Sequence, residues 1–280
     1  MDEIRRDEFR ERGVVALRAA VSPTELSILR RAFDWSIANP GRNASSIKPR
    51  TPGKLYNDLT NPDSFPLYVD ANAKTGIPTM VSQLWGKPEV WFMYEQVFLK
   101  TGGSETSAPR TPWHQDLPYL PVTGNDLAVV WIPFESLDTS ESLEFIVGSH
   151  HGTLHNGSRF SAEDPTTPLY DTGELPRLPD IEANRDAYDI VSFAVDPGDL
   201  IIFHPGMLHG GAPIAPGKQR STLTLRYFGE DAKVALRPND TPAILERIRA
   251  KQSVIHPLQI VKLRGNGAPF RHKKFPVCLP

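Results

Sequence analysis

Five short runs constrain what this chain can fold into. EVWFMYEQVFLKT (89–101), DLAVVWIPFESL (126–137), SLEFIVGSH (142–150), DLIIFHPGMLH (199–209) and STLTLRYFG (221–229) are rich in β-branched and aromatic residues and bounded by Gly, Pro and Asp. Such runs read as strands between turns. Several short strands with few helices fold as a sandwich or a barrel. The 280 residues suit one β-rich unit with helical additions and a sizeable core. No repeat, low-complexity tract or break in composition divides the chain, so a single domain over residues 1–280 is expected.

Helices are expected mainly at the ends. Residues 2–12 are charged and read as helical, and GVVALRAAV (13–21) reads as a strand. In SPTELSILRRAFDWSIANPG (22–41), Ser22 and Pro23 are start signals and Asn39-Pro40-Gly41 is the stop. Leu26, Leu29, Phe33 and Ile37 recur between them at helical spacing. The region of about 1–40 is therefore expected to be largely helical. Residues 41–65 are polar and read as a loop. Residues 151–190, rich in Pro, Asp and Glu, read as irregular; a segment that long in a compact domain is a candidate lid or binding element. TPAILERIRAKQ (241–252) reads as a further helix.

Composition removes several function classes. A net charge of -2 gives no polybasic footprint for nucleic acid. The apolar runs fall far short of the ~20 residues a bilayer span needs. MDEIRRDEFRER at the start has no apolar signal segment. The single cysteine, Cys278, leaves no internal disulfide framework and no multi-cysteine zinc site. These features fit a reducing cytoplasm.

The chemistry concentrates in WHQDLPY (113–119). On a strand, residues two apart share a face, so His114 and Asp116 can reach one point while Gln115 turns away. Imidazole with carboxylate suits a divalent metal of intermediate hardness. A lone pair of this kind more often has no metal, and a third ligand must come from elsewhere. GDLIIFHPGMLHGGAP (198–213) offers two: His204, before Pro205, and His209, before Gly210-Gly211. Two histidines and one carboxylate with open positions make the facial triad of non-haem Fe(II) oxygenases. Either histidine could instead bond to a carbonyl.

In RSTLTLRY (220–227), alternation puts Arg220, Thr222, Thr224 and Arg226 on one face and Ser221, Leu223, Leu225 and Tyr227 on the other. A barrel normally turns its apolar face inward, unless the interior holds a polar ligand. The arginines either face solvent or grip carboxylates bidentately. His150, His151 and His155 lack a pattern that would give them metal geometry. RHKK (271–274) reads as a solvated tail, and Asp138 and Glu141 as solvated turn residues.

Taken together, WHQD, GDLIIFHPGMLHGGAP and an arginine eleven residues after His209 resemble the phytanoyl-CoA dioxygenase family of Fe(II)- and 2-oxoglutarate-dependent oxygenases. The resemblance runs from about residue 8 to about residue 228. FRERGVVALRAAVSPTEL is similar to the family's opening strand and helix. VGSHHG (147–152) is similar to its Pro-Gly-Ser-His segment, with Val147 in place of proline. Ser140-Glu141-Ser142 stand where the family often has Asn-Gly.

The resemblance implies a mainly β fold: a double-stranded β-helix, or cupin-like jelly roll, with flanking α-helices. It implies His114, Asp116 and His209 as iron ligands, with 2-oxoglutarate and O2 as co-substrates. Arg220 would bind the distal carboxylate of 2-oxoglutarate, and its interval from His209 favours that histidine over His204. Trp131, Gln96 and Lys100 would line or contact the same co-substrate. A small residue at 116 would have implied halogenation; Asp116 implies hydroxylation or a related oxidation of a small organic molecule. Substrate contacts are expected from 41–56, Tyr119, Leu120, the 151–190 segment and Arg226. Arg226 is expected to face the cavity and meet an anionic group, with a buried arginine paired to an acid as the alternative. Two other readings stay open: a cupin-like metal-dependent isomerase or hydrolase, and a non-catalytic binding protein. The sequence leaves the oligomeric state open.

Overall fold

The computed structural model describes residues 3–161, 163–251 and 255–279. Positions 2 and 252, the outer ends of two expected helices, lie outside the described residues. The chain opens with α1 (Glu3–Arg12), β1 (Val14–Leu17) and α2 (Pro23–Ala38). The start of α2 is a capping box: the Ser22 hydroxyl accepts from the Glu25 amide, and the Glu25 carboxylate accepts from the Ser22 amide. Each group satisfies a backbone or hydroxyl partner that a bare helix end would leave open. Leu29, Ala32, Phe33, Ser36 and Ile37 are its buried stripe.

The region expected as a loop before residue 65 contains a strand, β2 (Lys54–Leu59). Two unexpected helices follow, α3 (Phe65–Ala73) and α4 (Ile77–Trp85). Pro66 and Pro78 look like turn signals in sequence, but both sit in a first helical turn, where a missing N–H costs nothing.

The remaining strands are β3 (Val90–Thr101), β4 (Thr111–His114), β5 (Val122–Thr123), β6 (Leu127–Pro133), β7 (Leu143–Ile146), β8 (Ile190–Ser192), β9 (Leu200–Phe203), β10 (His209–Gly211), β11 (Gln219–Phe228), β12 (Lys233–Val234) and β13 (Val277–Leu279). Helices α5 (Pro242–Lys251) and α6 (Pro257–Ile260) precede the last of them. The large sheet runs β1-β9-β6-β11-β3-β13, with β2 also paired to the long β3, and the small sheet runs β4-β10-β7-β8. Both are antiparallel throughout. This is the expected jelly-roll core with flanking helices. No helix among the described residues is long and apolar enough to cross a membrane.

Both faces of β11 are buried, and they are buried differently. Leu223, Leu225 and Tyr227 join Val97, Leu99, Val130 and Ile202 against α2, α3 and α4. Each such side chain contributes about 1.5–3 kcal/mol of burial. The helices thus cover the apolar face, which leaves Arg220, Thr222, Thr224 and Arg226 turned into the space between the sheets. Residues 151–190 are irregular as expected, apart from a short 3-10 stretch at Glu182–Ala187.

Candidate metal centre and its cavity

Among the described residues, one group of His, Cys, Asp and Glu side chains brings three donor atoms within 4.8 Å of one another: His114, Asp116 and His209. Two sheet strands supply the histidines, because His114 on β4 lies directly across from His209 on β10. Asp116 arrives by a different route from the one expected. β4 ends at His114, and Asp116 has helical backbone angles (φ -74°, ψ -32°) at the start of a 3-10 turn, Leu117–Tyr119. Its amide donates to the Pro205 carbonyl at 2.9 Å, which fixes the turn. Gln115 does turn away: its carboxamide donates to the Gly206 and Thr153 carbonyls and accepts from the His155 amide.

The ring nitrogens are sorted by local geometry. His114 Nδ1 lies 2.9 Å from the Pro112 carbonyl, and His209 Nδ1 lies 3.0 Å from the Met207 carbonyl. A carbonyl only accepts, so each Nδ1 carries the proton and each Nε2 is left with its lone pair. These are the acceptors that a metal-binding histidine requires and that the sequence left unidentified. Burial disfavours the charged form of both rings and pushes His209 down to about 3. Burial also opposes ionising Asp116, but the Arg226 guanidinium paired to it pulls the other way, and the carboxyl lies at about 2. The cluster is therefore two neutral imidazoles and one carboxylate, a donor set that fits a divalent first-row metal.

Arg226 makes the carboxylate's second contact. Its Nη2 donates to Asp116 Oδ2 at 2.9 Å and its Nη1 to Thr224 Oγ1 at 3.0 Å, with the guanidinium 4.7 Å from the Tyr94 ring centre. The arginine faces the cavity, yet its charge is committed to an acid, as the alternative raised for it describes.

A cavity of about 740 Å³ surrounds these groups, and the cross-strand register explains its floor. Arg220, Thr222, Thr224 and Arg226 on β11 lie opposite Lys100, Phe98, Gln96 and Tyr94 on β3. Beyond β3, Leu55, Asn57 and Leu59 of β2 extend the same face, and on the other flank Trp131 pairs with Thr224. All of them line the cavity. One end is cationic. Lys100 donates to the carbonyls of Pro109 (2.8 Å) and Ala212 (3.1 Å) and to Thr111 Oγ1 (3.3 Å). Arg220 donates to the Glu141 carbonyl. Neither forms an ion pair among the described residues. Burial, reinforced by Arg220 and Arg110, pushes Lys100 down to about 6; burial pushes Arg220 down to about 10. Gly211 keeps this end open, since a Cβ there would lie 3.1 Å from Thr111 Oγ1 and 3.3 Å from Arg220 Nη2.

Other expected groups lie elsewhere. His204 is buried, with Nε2 3.2 Å from the Gly124 carbonyl and Nδ1 accepting from the Gly206 amide. His150 and His151 both approach the Arg10 carbonyl. Glu141 is not solvated: it is 8% exposed and pairs with Lys218 at 2.8 Å. Nor is RHKK wholly a free tail, because Arg271 lies over Trp91 and 3.6 Å from Glu89. Sequence reasoning missed the network that pins the 151–190 segment. Glu144 and Glu182 each pair with Arg110 and Arg185, and the Trp113 indole donates to Glu182. Its paired partners lie as far as 72 residues apart, beyond any local pattern.

Comparison with known proteins adds a family and a fold. The family model described as phytanoyl-CoA dioxygenase (PhyH) matches residues 9–222. The peroxisomal phytanoyl-CoA dioxygenase of Rattus norvegicus is 23% identical over 236 residues, covering 83% of this chain and 63% of that protein, so less than two thirds of its length is spanned. Among solved structures, the non-haem alpha ketoglutarate dependent carbocyclase SnoK from nogalamycin biosynthesis superposes with a TM-score of 0.67 at 16% identity, covering 99% of this chain and 96% of that one. The epimerase SnoN, in complex with Fe3+, alpha ketoglutarate and nogalamycin RO, gives 0.67 at 16% identity, covering 99% and 98%. At these identities the likeness is one of fold.

Proposed function

Because the chain belongs to the phytanoyl-CoA dioxygenase family, we propose that it is a non-haem Fe(II)- and 2-oxoglutarate-dependent oxygenase acting on a small organic molecule. One observation carries the reading: an open two-histidine, one-carboxylate cluster shares its cavity with a buried guanidinium that has no carboxylate partner. Ferrous iron bound there, with 2-oxoglutarate and O2, would supply the oxidation, releasing succinate and CO2 while a substrate C–H is hydroxylated or otherwise oxidised.

The chain's own residues do the positioning. His114, Asp116 and His209 hold the ion, and the Pro112 and Met207 carbonyls lock both imidazoles in the ligating tautomer. Arg226 keeps Asp116 ionised and aimed, which makes it a positioning residue in this reading. Arg220 receives the far carboxylate of the diacid, a pairing whose planar geometry sets the diacid's direction. Lys100 lies across the strand from Arg220 and, through the Pro109 and Ala212 carbonyls and Thr111 Oγ1, ties together the wall of that end. Gln96 and Trp131, both across from Thr224, line the cavity between that end and Arg226. The cytoplasmic setting and single-domain organisation expected from sequence belong to this proposal.

A cupin-like isomerase or hydrolase would need the metal but not Arg220. Anaerobic titration of the Fe(II)-loaded protein with 2-oxoglutarate separates the readings. A visible metal-to-ligand charge-transfer band is expected, and Arg220→Met should raise the 2-oxoglutarate concentration needed for it roughly 100-fold, since truncating one side of a buried charge pair costs that much. Bound iron with no band in the wild type would defeat the proposal.

A further inference from the structure

Resting on the oxygenase reading for its chemistry, we propose that Phe160 and Tyr119 form an aromatic clamp that selects an uncharged substrate with a flat or apolar ring face, and that Asn57 reads a hydroxyl or carbonyl oxygen on it.

Phe160 is 44% exposed and yet lines the cavity. A lone exposed aromatic is ordinary, but this one has φ +53°, a left-handed conformation that residues with a Cβ seldom adopt. Such strain persists only where neighbours over-determine it, and it gathers at ligand-handling sites. Here the neighbours are explicit. Ser158 Oγ accepts from the Phe160 amide at 2.8 Å and donates to the Pro165 carbonyl at 2.6 Å. The Ser158 backbone also brackets the Tyr119 hydroxyl: its amide donates to that oxygen at 2.6 Å, and the hydroxyl donates to its carbonyl at 2.7 Å. Gly157 permits the approach, because a Cβ there would sit 2.9 Å from Tyr119 Cζ.

Ser158 thus places two rings as one unit. Tyr119 and Phe160 stack with centroids 5.9 Å apart at 18°, and Phe160 meets His114 edge-on at 5.1 Å and 78°. The clamp reaches from the protein surface to a metal-ligating imidazole. A ring face entering beside it gains aromatic packing next to the reacting position.

The charge inventory sets the rest. Arg226 is paired with Asp116, and Arg110 with Glu144 and Glu182. Arg220 and Lys100 belong to the co-substrate end. Leu55 borders Lys100, and the floor beyond it is neutral: Asn57, Leu59 and Phe98. The Asn57 carboxamide has no hydrogen-bond partner among the described residues. An anionic group entering this part would lose its water and find no cation, whereas a neutral oxygen would find an amide. The cavity volume of about 740 Å³ leaves room for a drug-sized molecule beside a small diacid.

The test uses 1-naphthol and 1-naphthoate, which share a flat ring and differ in charge. Each is titrated calorimetrically into the full-length protein loaded with Zn(II) and 2-oxoglutarate, an inert pair. Binding of naphthol is expected, with naphthoate roughly tenfold weaker. Phe160→Ala should weaken naphthol roughly tenfold and Phe160→Tyr should restore it, because the ring carries the contact. A half-exposed side chain can be truncated without unfolding, and the thermal melt of each variant verifies this. No naphthol binding, equal binding of the two probes, or wild-type affinity in Phe160→Ala would overturn the clamp. Titration of 2-oxoglutarate itself, run separately, reports on the oxygenase reading, so the two failures are distinguishable.

Discussion

Two groups of histidines lie around the β10 strand, and they differ in what their ring nitrogens do. His114 and His209, with centroids 4.2 Å apart, each bind a backbone carbonyl two residues back through Nδ1. Both Nε2 atoms are left to converge with Asp116. His150 and His151 are closer still, at 3.8 Å, and His204 lies 5.4 Å from His150. There the Nε2 atoms are the ones occupied, on the Arg10 and Gly124 carbonyls. No carboxylate hydrogen-bonds to any of these three among the described residues. The first group is an open donor set; the second braces the turn after β7 to the end of α1 and the turn before β10 to the loop before β6. Proximity of histidines does not make a metal site. Convergence of free ring nitrogens on a carboxylate decides it.

Substitution at position 209 should show the largest effect. His209→Ala removes a ligand and should cost metal affinity and turnover more than the roughly 100-fold that loss of a supporting partner costs. His204→Gln should leave metal affinity, read by competition with a chromophoric chelator, unchanged. A metal defect in His204→Gln would erase the distinction between the groups. A smaller effect should come from Arg226→Met, which leaves every ligand in place but frees Asp116 to rotate. Metal affinity should fall roughly 10–100-fold. An unchanged affinity would mean that the 4.8 Å convergence needs no help from the guanidinium.

Much of this distinction was legible in the sequence, and the reasons it was partial are physical. Alternation along β11 told which residues share a face, and the helices packed on Leu223, Leu225 and Tyr227 explain why the polar face is the inner one. Backbone periodicity has no access to Asp116, whose position depends on a hydrogen bond to Pro205 across 89 residues. For the same reason the Arg226–Asp116 contact, 110 residues apart, could be raised only as an alternative. β2 was lost because neither face reads as apolar: a buried charge, Asp58, shares the core-facing side with Tyr56, while Leu55, Asn57 and Leu59 line a mixed cavity. α3 and α4 were lost because Pro66 and Pro78 punctuate equally well as turn and as helix start. Phe160 carried no signal at all, because positive φ at a phenylalanine is imposed by Ser158 and Pro165 and not by its own preference.

The bracing group should reveal itself through acid stability rather than metal binding. Burial pushes His204 down to about 4 from an ordinary 6.5, with His150 acting in the same direction and Asp231 against it. A base whose folded pKa lies below its unfolded one binds its proton first in the unfolded chain. Between pH 6.5 and pH 4 the unfolded state therefore holds more protons at this site, and stability falls as pH falls through that window. Above it the site contributes no slope, and below it both states are protonated. His204→Gln keeps a donor and an acceptor but cannot titrate. At neutral pH it should be less stable by about 1 kcal/mol, for an imperfectly replaced buried hydrogen bond. Toward about pH 5 the gap should close, because the wild type loses up to about 1.4 kcal/mol per pH unit at this site and the variant does not. Urea unfolding of both proteins across that range measures it. Parallel pH profiles would show that His204 is not the buried neutral brace that separates its group from the open donor set.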